Sequence, residues 1–247
     1  MASIPLYDSE IPQLTTEQMI EVDRAMVEDY HIELMQMMEN AGRNLAHLAR
    51  ERFLDGDAEG KLVVVLAGTG GNGGGALVAA RRLHNWGARV QVVLAQPIEK
   101  LTRVPAHQFD ILARVNVPVL AAEKVDTTAP PAVVLDGLIG YSLRGAPRGT
   151  AAELIRWANG QRAPILALDV PSGIDAGTGT VYEPAIRASA TLTLALPKKG
   201  LRLPAVEALV GELYLADISV PPELYASPTL GLSVAPLFCK AEVIRLR

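Results

Sequence analysis

A run of apolar residues that leads directly into a glycine-rich turn is the feature that most constrains the fold. Residues 62–67 contain no polar side chain, and six of the next eight residues, 68–75, are glycines. An apolar run of this length, bounded by a charge and by glycines, predicts a strand that is buried on both faces. An amphipathic helix is predicted after the glycines, ending near Trp86 because Gly87 follows. A strand, a tight turn and a helix in this order form the first half of a β-α-β unit. The segment therefore predicts a parallel sheet.

Apolar runs and helical periodicities alternate along the rest of the chain, which has 247 residues. Helices are predicted over about 16–29, 33–53, 105–115 and 151–159, and strands over about 90–95, 117–120, 132–136, 165–169, 191–196 and 212–216. Strands that alternate with helices imply right-handed crossovers, so this order predicts an α/β fold with a mostly parallel central sheet. We expect a single domain over residues 1–247.

Composition argues against several classes of partner. The chain has 23 basic and 27 acidic residues, a net charge of −4, whereas a general nucleic-acid binder usually has a basic excess. No apolar stretch is long enough to span a membrane, and the first residues lack the pattern of a signal peptide. We therefore expect no nucleic-acid or membrane partner. Cys239 is the one cysteine, which excludes an internal disulfide. It is expected to be a small buried hydrophobe in a cytoplasmic protein.

Two local clusters are expected to be structural. The basic cluster of Lys198, Lys199 and Arg202 is interpreted as a solvated edge. The methionine-rich stripe at 35–38 is interpreted as part of the core, because methionine commonly fills irregular gaps there. Neither cluster is therefore assigned to a functional site.

Three unusual loops follow three predicted strands, at 68–75, 136–145 and 169–175. In open parallel sheets, ligands bind outside the carboxyl ends of the strands. The second and third loops both begin with an aspartate, at Asp136 and Asp169. The sequence therefore predicts a binding site where the three loops meet.

The first loop matches the pattern G-x-G-x-x-G through Gly68, Gly70 and Gly73. A dinucleotide-binding dehydrogenase also needs an acidic residue at the end of the next strand, and residues 95–97 supply none. The P-loop pattern is absent as well. What remains is a set of unobstructed backbone amides at a strand-to-helix turn, which suits a phosphate group, with a merely flexible turn as the alternative.

Oxygen-bearing side chains are also predicted at this edge of the sheet. Asn72, Asp136, Asp169 and Ser172 offer amide, carboxylate and hydroxyl oxygens. Such ligands suit a hard cation better than zinc.

At these loops the sequence resembles the NAD(P)H-hydrate epimerase family, also described as YjeF N-terminal-like. Residues 68–81 read G-T-G-G-N-G-G-G-A-L-V-A-A-R, against the family pattern G-x-G-N-N-G-G-D-G-L-V-A-A-R. Further similar segments, in the same order as in the family, are M-E-N-A-G at 38–42, D-G-L-I-G at 136–140, D-V-P-S-G at 169–173, P-K-K-G-L at 197–201 and the segment 211–218.

The resemblance implies an enzyme that interconverts the R and S epimers of hydrated NADH and NADPH. It also implies a three-layer α/β/α Rossmann-like fold with a mostly parallel central sheet, which forms a homodimer. A bound potassium ion and a separate dehydratase that acts on the product are implied as well. The ion would be held by Asn72, Asp136 and Ser172, and Asp169 would lie at the reacting centre. The substrate-binding residues carried over are Gly71, Asn72, Gly73, Gly74, Gly75, Gly140, Tyr141, Ser142, Leu143, Arg144, Gly145, Ala146 and Asp169.

The chemistry implied for Asp169 is acid–base catalysis. The hydrated ring carries a hydroxyl on a carbon beside nitrogen, so the nitrogen lone pair expels that hydroxyl once an acid protonates it. Water then returns to either face of the planar cation. A carboxylate serves as the acid, as the base and as a stabiliser of the cation. The structural alternative for Asp169 is that its side chain caps its own Asp-x-x-Ser turn.

Two positions depart from the family pattern: Gly71 replaces an asparagine, and Gly75 replaces an aspartate of the substrate-binding loop. Loss of one positioned acid or base typically costs ~10²–10⁴ in rate. Three alternatives follow. Asp169 suffices alone, another acid such as Asp175 or Glu39 substitutes, or the chain is a non-catalytic module that binds a nucleotide-like ligand or a protein partner. The length is expected to accommodate the epimerase-like domain alone, with any dehydratase as a separate chain.

Overall fold

An eight-stranded sheet forms the centre of the computed structural model, which describes residues 4–120 and 130–247. Its strands are β1 (Leu62–Ala67), β2 (Arg89–Leu94), β3 (Val119–Leu120), β4 (Val133–Gly137), β5 (Ile165–Leu168), β6 (Ala190–Leu194), β7 (Glu212–Ala216) and β8 (Val243–Arg245). Their order across the sheet is β3-β2-β1-β4-β5-β6-β7-β8. All neighbours are parallel except β7 and β8. The predicted mostly parallel sheet is confirmed, and β8 is an additional strand that the sequence did not indicate.

Seven α-helices accompany the sheet within the described residues. They are α1 (Thr16–Glu28), α2 (Leu34–Phe53), α3 (Gly71–Asn85), α4 (Arg103–Arg114), α5 (Gly149–Gly160), α6 (Glu207–Val210) and α7 (Pro222–Tyr225). Four of the five longer helices, α1, α2, α4 and α5, confirm the predicted bounds to within two residues, and α3 ends near Trp86 as predicted. None of the helices in the described part of the chain has the length and apolarity that a membrane span requires.

The start of α3 differs from the prediction. The helix begins at Gly71, inside the glycine-rich segment, and Gly73, Gly74 and Gly75 are buried in its first turns. Each glycine in a helix is less favourable than alanine by about 1 kcal/mol. A prediction from helix propensity therefore starts the helix after the glycines, which is too late. Packing against neighbouring backbone, described below, explains the helix instead.

The alternating side chains of β1 show the three layers directly. Val63 and Val65 pack into the cluster that contains residues of α2, α3 and α4. Val64 and Leu66 point to the other face, into the cluster that contains Leu154 of α5. A strand covered on both faces must be apolar throughout, which is the physical reason for its uninterrupted apolar sequence.

The chain changes direction across the sheet at β1. From β1 it proceeds outward to β2 and β3, and it then returns to β4 on the other side of β1. The loops that follow β1 and β4 therefore diverge, which opens a crevice at their carboxyl ends. Helix α1 packs over this end, because Met19, Val22 and Met26 share a buried cluster with Met37 and Leu196.

The environment of Cys239 contradicts the expectation from sequence. Its side chain is exposed and unpaired, near the end of a loop after α7. Burial of cysteine is only a statistical tendency, and here the surrounding segment, 231–241, packs loosely on the surface.

Candidate active site

A cavity of about 500 Å³ lies at the carboxyl ends of β1, β4 and β5, where the sequence predicts a site. One wall is apolar and comes mainly from the first two helices, with Met19, Met37 and Met38 among its residues. Of the predicted core stripe, Met37 and Met38 are buried as expected and also form part of the surface of this cavity, whereas Met35 is half-buried and does not line it. The opposite wall is polar and includes Asn72, Tyr141 and Asp169. An apolar slot with a few convergent polar groups is the usual form of a small-molecule site.

The predicted substrate-binding residues are only partly exposed to this cavity. Those that line it are Gly71, Asn72, Gly140, Tyr141, Ser142 and Asp169. Gly73, Gly74 and Gly75 lie within α3 behind the cavity surface, and residues 143–146 are not among its lining residues. A role for these two groups in substrate binding stays a prediction.

Glycines allow three backbone segments to meet beside the cavity. A Cβ atom on Gly73 would lie 1.9 Å from the carbonyl oxygen of Gly68, and one on Gly68 would lie 1.9 Å from that of Leu138. No side chain fits at either position. The first turn of α3 therefore packs directly on the loops after β1 and β4, and its N-terminal end, at Gly70 and Gly71, opens onto the cavity.

Gly75 is enclosed by apolar side chains. A Cβ atom there would lie 2.8 Å from Leu168 Cδ2 and 3.7 Å from Ala41 Cβ. Both neighbours line the cavity, so Gly75 lies one layer behind its wall. Where the family pattern has an aspartate, this chain therefore has an apolar contact between α3, α2 and the end of β5.

The two acids considered as substitutes lie elsewhere. Glu39 forms ion pairs with Arg81, at 2.6 Å, and Arg82, at 3.1 Å. Asp175 accepts hydrogen bonds from the backbone N–H groups of Gly177 and Thr178 in its own turn. Neither carboxylate lines the cavity. Substitution by either acid is therefore not supported by their positions.

Asp169 is held by contacts from outside its own turn. It follows β5 directly, is buried, and adopts a left-handed backbone conformation with φ of 66°. Its carboxylate accepts a hydrogen bond from Lys198 Nζ and another, at 3.3 Å, from the backbone N–H of Tyr141. The capping alternative is wrong, because the N–H of Ser172 donates to Asp136 instead, at 2.8 Å. A left-handed aspartate at a strand end is the kind of local strain that clusters at functional sites.

Lys198 contradicts its interpretation as part of a solvated edge. The side chain is fully buried, whereas its neighbours Lys199 and Arg202 are exposed. Besides Asp169, its ammonium group donates to the carbonyl of Leu194, at 2.8 Å, and to Thr193 Oγ1, at 3.3 Å. Three acceptors satisfy the three N–H bonds of the ammonium, which is the condition for burying such a charge. Charge clustering could not reveal this, and the one available signal was the position of Lys198 in a segment similar to the family.

Asp136 and Ser172 are joined as the sequence predicts. Asp136 is fully buried and accepts hydrogen bonds from Ser172 Oγ, at 2.7 Å, and from the N–H groups of Ser172 and Leu138. Burial raises its pKa to about 6. No ion pair in the described part of the chain includes Asp136, so its charge is uncompensated. Nearby in the cavity wall, the amide Nδ2 of Asn72 is buried without a partner.

This arrangement fits a hard monovalent or divalent cation better than zinc. The carboxylate of Asp136, the hydroxyl of Ser172 and the side-chain carbonyl of Asn72 are oxygen donors of the kind that such a cation prefers. Residues 4–120 and 130–247 contain no group of three or more histidine, cysteine or acidic side chains that could hold a metal ion. The oxygen donors of Asp136, Ser172 and Asn72 match the predicted ion in type, and its binding stays a prediction.

A second carboxylate in the cavity was not predicted. Asp23, on α1, lines the cavity and accepts a hydrogen bond from the hydroxyl of Tyr141, at 2.5 Å. Burial raises the pKa of Asp23 and also that of Tyr141. Helix α1 lies outside all the quoted motifs, so the sequence contains no local pattern that would have singled out this residue.

Comparison with known proteins assigns a family. A family model described as "YjeF-related protein N-terminus" matches residues 34–200. A protein named NAD(P)H-hydrate epimerase from Dehalogenimonas lykanthroporepellens is 44% identical over 96% of this chain and 93% of its own length. A protein named bifunctional NAD(P)H-hydrate repair enzyme Nnr, from Salinibacter ruber, is 37% identical over 85% of this chain, which spans only 41% of that relative. The crystal structure of yeast ynu0 shares the fold, with a TM-score of 0.81, 23% identity, and coverage of 96% of this chain and 100% of the yeast chain.

Proposed function

The chain belongs to the family of YjeF-related protein N-termini, and on that premise we propose that it is an NAD(P)H-hydrate epimerase. It interconverts the R and S epimers of hydrated NADH and NADPH, a repair reaction on damaged cofactors. The observation that carries the proposal is the ionic contact of Asp169 with Lys198 at the floor of a cavity of about 500 Å³. A fixed carboxylate facing an apolar slot suits a reaction that forms a cationic ring.

Asp169 acts at the reacting centre. Loss of the ring hydroxyl leaves a planar cation, and a negative charge held in place stabilises that cation more strongly in a dry cavity than in water. The carboxylate then accepts the proton of the water molecule that returns to the ring. Because Lys198 donates to Asp169, the side chain starts the reaction as an ionised base rather than as the acid.

The substrate lies between the apolar wall and the loops after β1 and β4. Met37 and Met38 are adaptable apolar surfaces for the ring. The open N-terminal end of α3, at Gly71 and Asn72, is suited to the phosphate groups, because its first backbone N–H groups have no intrahelical partners. The other predicted contacts, Gly73, Gly74, Gly75 and residues 143–146, belong to the same proposal.

A potassium ion bound by Asn72, Asp136 and Ser172 completes the site. Its support is the buried charge of Asp136, which no ion pair among the described residues compensates. When bound, the ion compensates the carboxylate and fixes the loops that carry it. Ser172, in the loop after β5, donates to Asp136 at the end of β4 and accepts a hydrogen bond from the N–H of Ile139 in the loop after β4.

The remaining expectations concern partners and location. A separate dehydratase consumes the S epimer, in line with the bifunctional name of the Salinibacter relative. The chain forms a homodimer, for which Ile20 and Val27 offer exposed apolar side chains seven residues apart on α1. It acts in the cytoplasm, where the exposed thiol of Cys239 stays reduced. Light scattering on the purified protein tests the dimer.

One assay tests the function. Purified protein is mixed with epimeric hydrated NADH and an S-specific dehydratase, and consumption of the R epimer is followed with and without potassium. We expect consumption well above the spontaneous rate. A rate equal to the spontaneous one under both conditions rejects the enzyme and leaves the alternative, a non-catalytic binding module of the same fold.

A further inference from the structure

Asp23 differs from the other acidic residues of α1 in what it faces. Glu21 and Glu28 pair with Arg24 on the exposed side of the helix, at 2.8 and 3.0 Å. Asp23 points away from this ion cluster and lines the cavity, as does Met19 one turn earlier. The helix thus delivers one carboxylate to the same cavity that contains Asp169.

Tyr141 connects the two carboxylates of the cavity. Its hydroxyl donates to Asp23 Oδ2, at 2.5 Å, and its backbone N–H donates to Asp169 Oδ2, at 3.3 Å. The two acids are therefore held at opposite ends of one residue. No hydrogen bond in the described part of the chain uses Asp23 Oδ1, so that oxygen is available to a ligand.

The charges around the two acids differ. Asp169 has a buried ammonium, Lys198, as its direct partner. Asp23 has a neutral phenol as its partner, and burial raises its pKa. The groups that act on Asp23 are the hydroxyl of Tyr141 and the charge of Lys198, which lower its pKa, and the charge of Asp169, which raises it. A carboxylate paired with an ammonium and a carboxylate paired with a neutral phenol are suited to be the base and the acid of one reaction.

We propose that Asp23 is a second catalytic carboxylate, which supplies the proton for loss of the ring hydroxyl while Asp169 acts as the base. The inference rests on the proposed epimerase function and deepens it. Asp23 transfers its Oδ1 proton to the ring hydroxyl, the carbon–oxygen bond breaks with its electron pair on oxygen, and water leaves while the nitrogen lone pair forms the carbon–nitrogen double bond. A water molecule then adds to the other face of the ring and gives a proton to Asp169.

Inversion explains why two carboxylates are useful. The departing hydroxyl and the returning water occupy opposite faces of the ring, so an acid on one face and a base on the other serve each direction. In the reverse direction the roles of Asp23 and Asp169 exchange, and no oxidant or reductant is consumed. One carboxylate alone would have to serve both faces.

The test compares Asp23→Asn with the wild type and with Asp29→Asn, a matched control on the exposed end of α1. Interconversion of the purified epimers is measured by chromatography across pH. We expect Asp23→Asn to lower kcat about 10²–10⁴-fold with KM changed by no more than a few-fold. The wild-type kcat/KM falls as pH rises through the pKa of the acid, and this limb disappears in Asp23→Asn. Asp29→Asn stays at the wild-type rate.

The variant Tyr141→Phe provides a second test, because it leaves the carboxyl group of Asp23 in place. Its hydroxyl lowers the pKa of Asp23, so its loss should move the same limb to higher pH in an active protein. The role of Asp23 is overturned if Asp23→Asn keeps the wild-type kcat, whether or not its KM rises. It is also overturned if the alkaline limb of the pH profile does not move in Tyr141→Phe. If Asp23→Asn does not fold, the position of the alkaline limb in the pH profile of Tyr141→Phe decides the role of Asp23. An inactive wild type instead rejects the proposed function and this inference together.

Discussion

The ammonium of Lys198 donates to the carboxylate of Asp169, and both side chains are buried. The two residues lie 29 positions apart and follow different strands, β6 and β5, which are neighbours in the sheet. The lysine also donates to the carbonyl of Leu194, so the ion pair is anchored to the end of β6. A buried pair of this kind is costly to break, since either partner alone would be an unpaired charge away from water.

Replacement of Lys198 by methionine should therefore destabilise the fold strongly. We expect a loss of about 3–5 kcal/mol, because Asp169 is left buried without its partner. The double variant Lys198→Met with Asp169→Asn should recover part of that loss, which unfolding in guanidinium chloride measures. Lys199→Met, the exposed neighbour, should stay within about 0.5 kcal/mol of the wild type. Strictly additive losses in the double variant would contradict the coupling.

Asp169→Asn should abolish turnover while sparing binding. The amide keeps the shape of the side chain, but it does not accept a proton at neutral pH and has no negative charge to stabilise a cation. We therefore expect kcat to fall by at least about 10²-fold. NADH binding, followed by calorimetry, should change no more than a few-fold. Asp175→Asn is the control, since that carboxylate caps its own turn outside the cavity. Unchanged turnover in Asp169→Asn would remove the residue from the reacting centre.

The sheet, the three loops and the polar side chains at the strand ends could be predicted because their causes are local in the sequence. β1 is apolar throughout since both of its faces are covered. Asp136 lies at the end of β4, and Asp169 follows β5 directly. Adjacent parallel strands then bring these loops together whatever the intervening sequence. The joining of Asp136 with Ser172 follows from this geometry.

Lys198 and Asp23 could not be predicted from local patterns. The burial of Lys198 depends on the acceptors at Leu194 and Thr193, which are set by the end of β6 and not by neighbouring charge. Asp23 reaches the cavity because α1 packs over the carboxyl ends of the strands, a tertiary contact without a signature in the helix itself. Likewise, α3 begins earlier than propensity allows, because backbone packing at Gly73 outweighs the poor helix propensity of glycine.

Gly73→Ala tests whether the glycines serve backbone packing. The added methyl would lie 1.9 Å from the carbonyl oxygen of Gly68, so α3 or the loop after β1 must move. We expect a loss of about 2–3 kcal/mol in urea unfolding, although alanine is the better helix former. Gly160→Ala, at a position with open space around it, should be neutral or stabilising. Equal stability of the two variants would contradict the packing argument.

Potassium should stabilise the protein through the loops after β4 and β5. At about ten times its Kd the ion should raise Tm by about 3–5 °C relative to the same concentration of choline chloride. Ser172→Ala removes one proposed ligand and should reduce this shift, whereas Ser233→Ala, on the exposed C-terminal loop, should keep it. Thermal scans in the two salts provide the measurement. An equal Tm in both salts would exclude a bound ion under these conditions.

Glu212 predicts a dependence of stability on acid pH. Hydrogen bonds from Arg52, at 2.8 Å, are the main cause that lowers its pKa to about 2, from 4.5. A carboxylate with a lower pKa in the folded state stabilises the fold above the unfolded pKa and loses this contribution as pH falls toward the folded one. Glu212→Gln should therefore lower the free energy of unfolding by about 1–2 kcal/mol at pH 7, after allowance for solvent screening. At pH 3 the loss should be less than about half of that.

Urea unfolding of Glu212→Gln and of the wild type at pH 7, 4.5 and 3 measures this difference. Glu153→Gln, on the exposed face of α5, is the control that should show no pH-dependent loss. A cost that stays constant between pH 7 and pH 3 would show that Glu212 acts through packing and not through its charge.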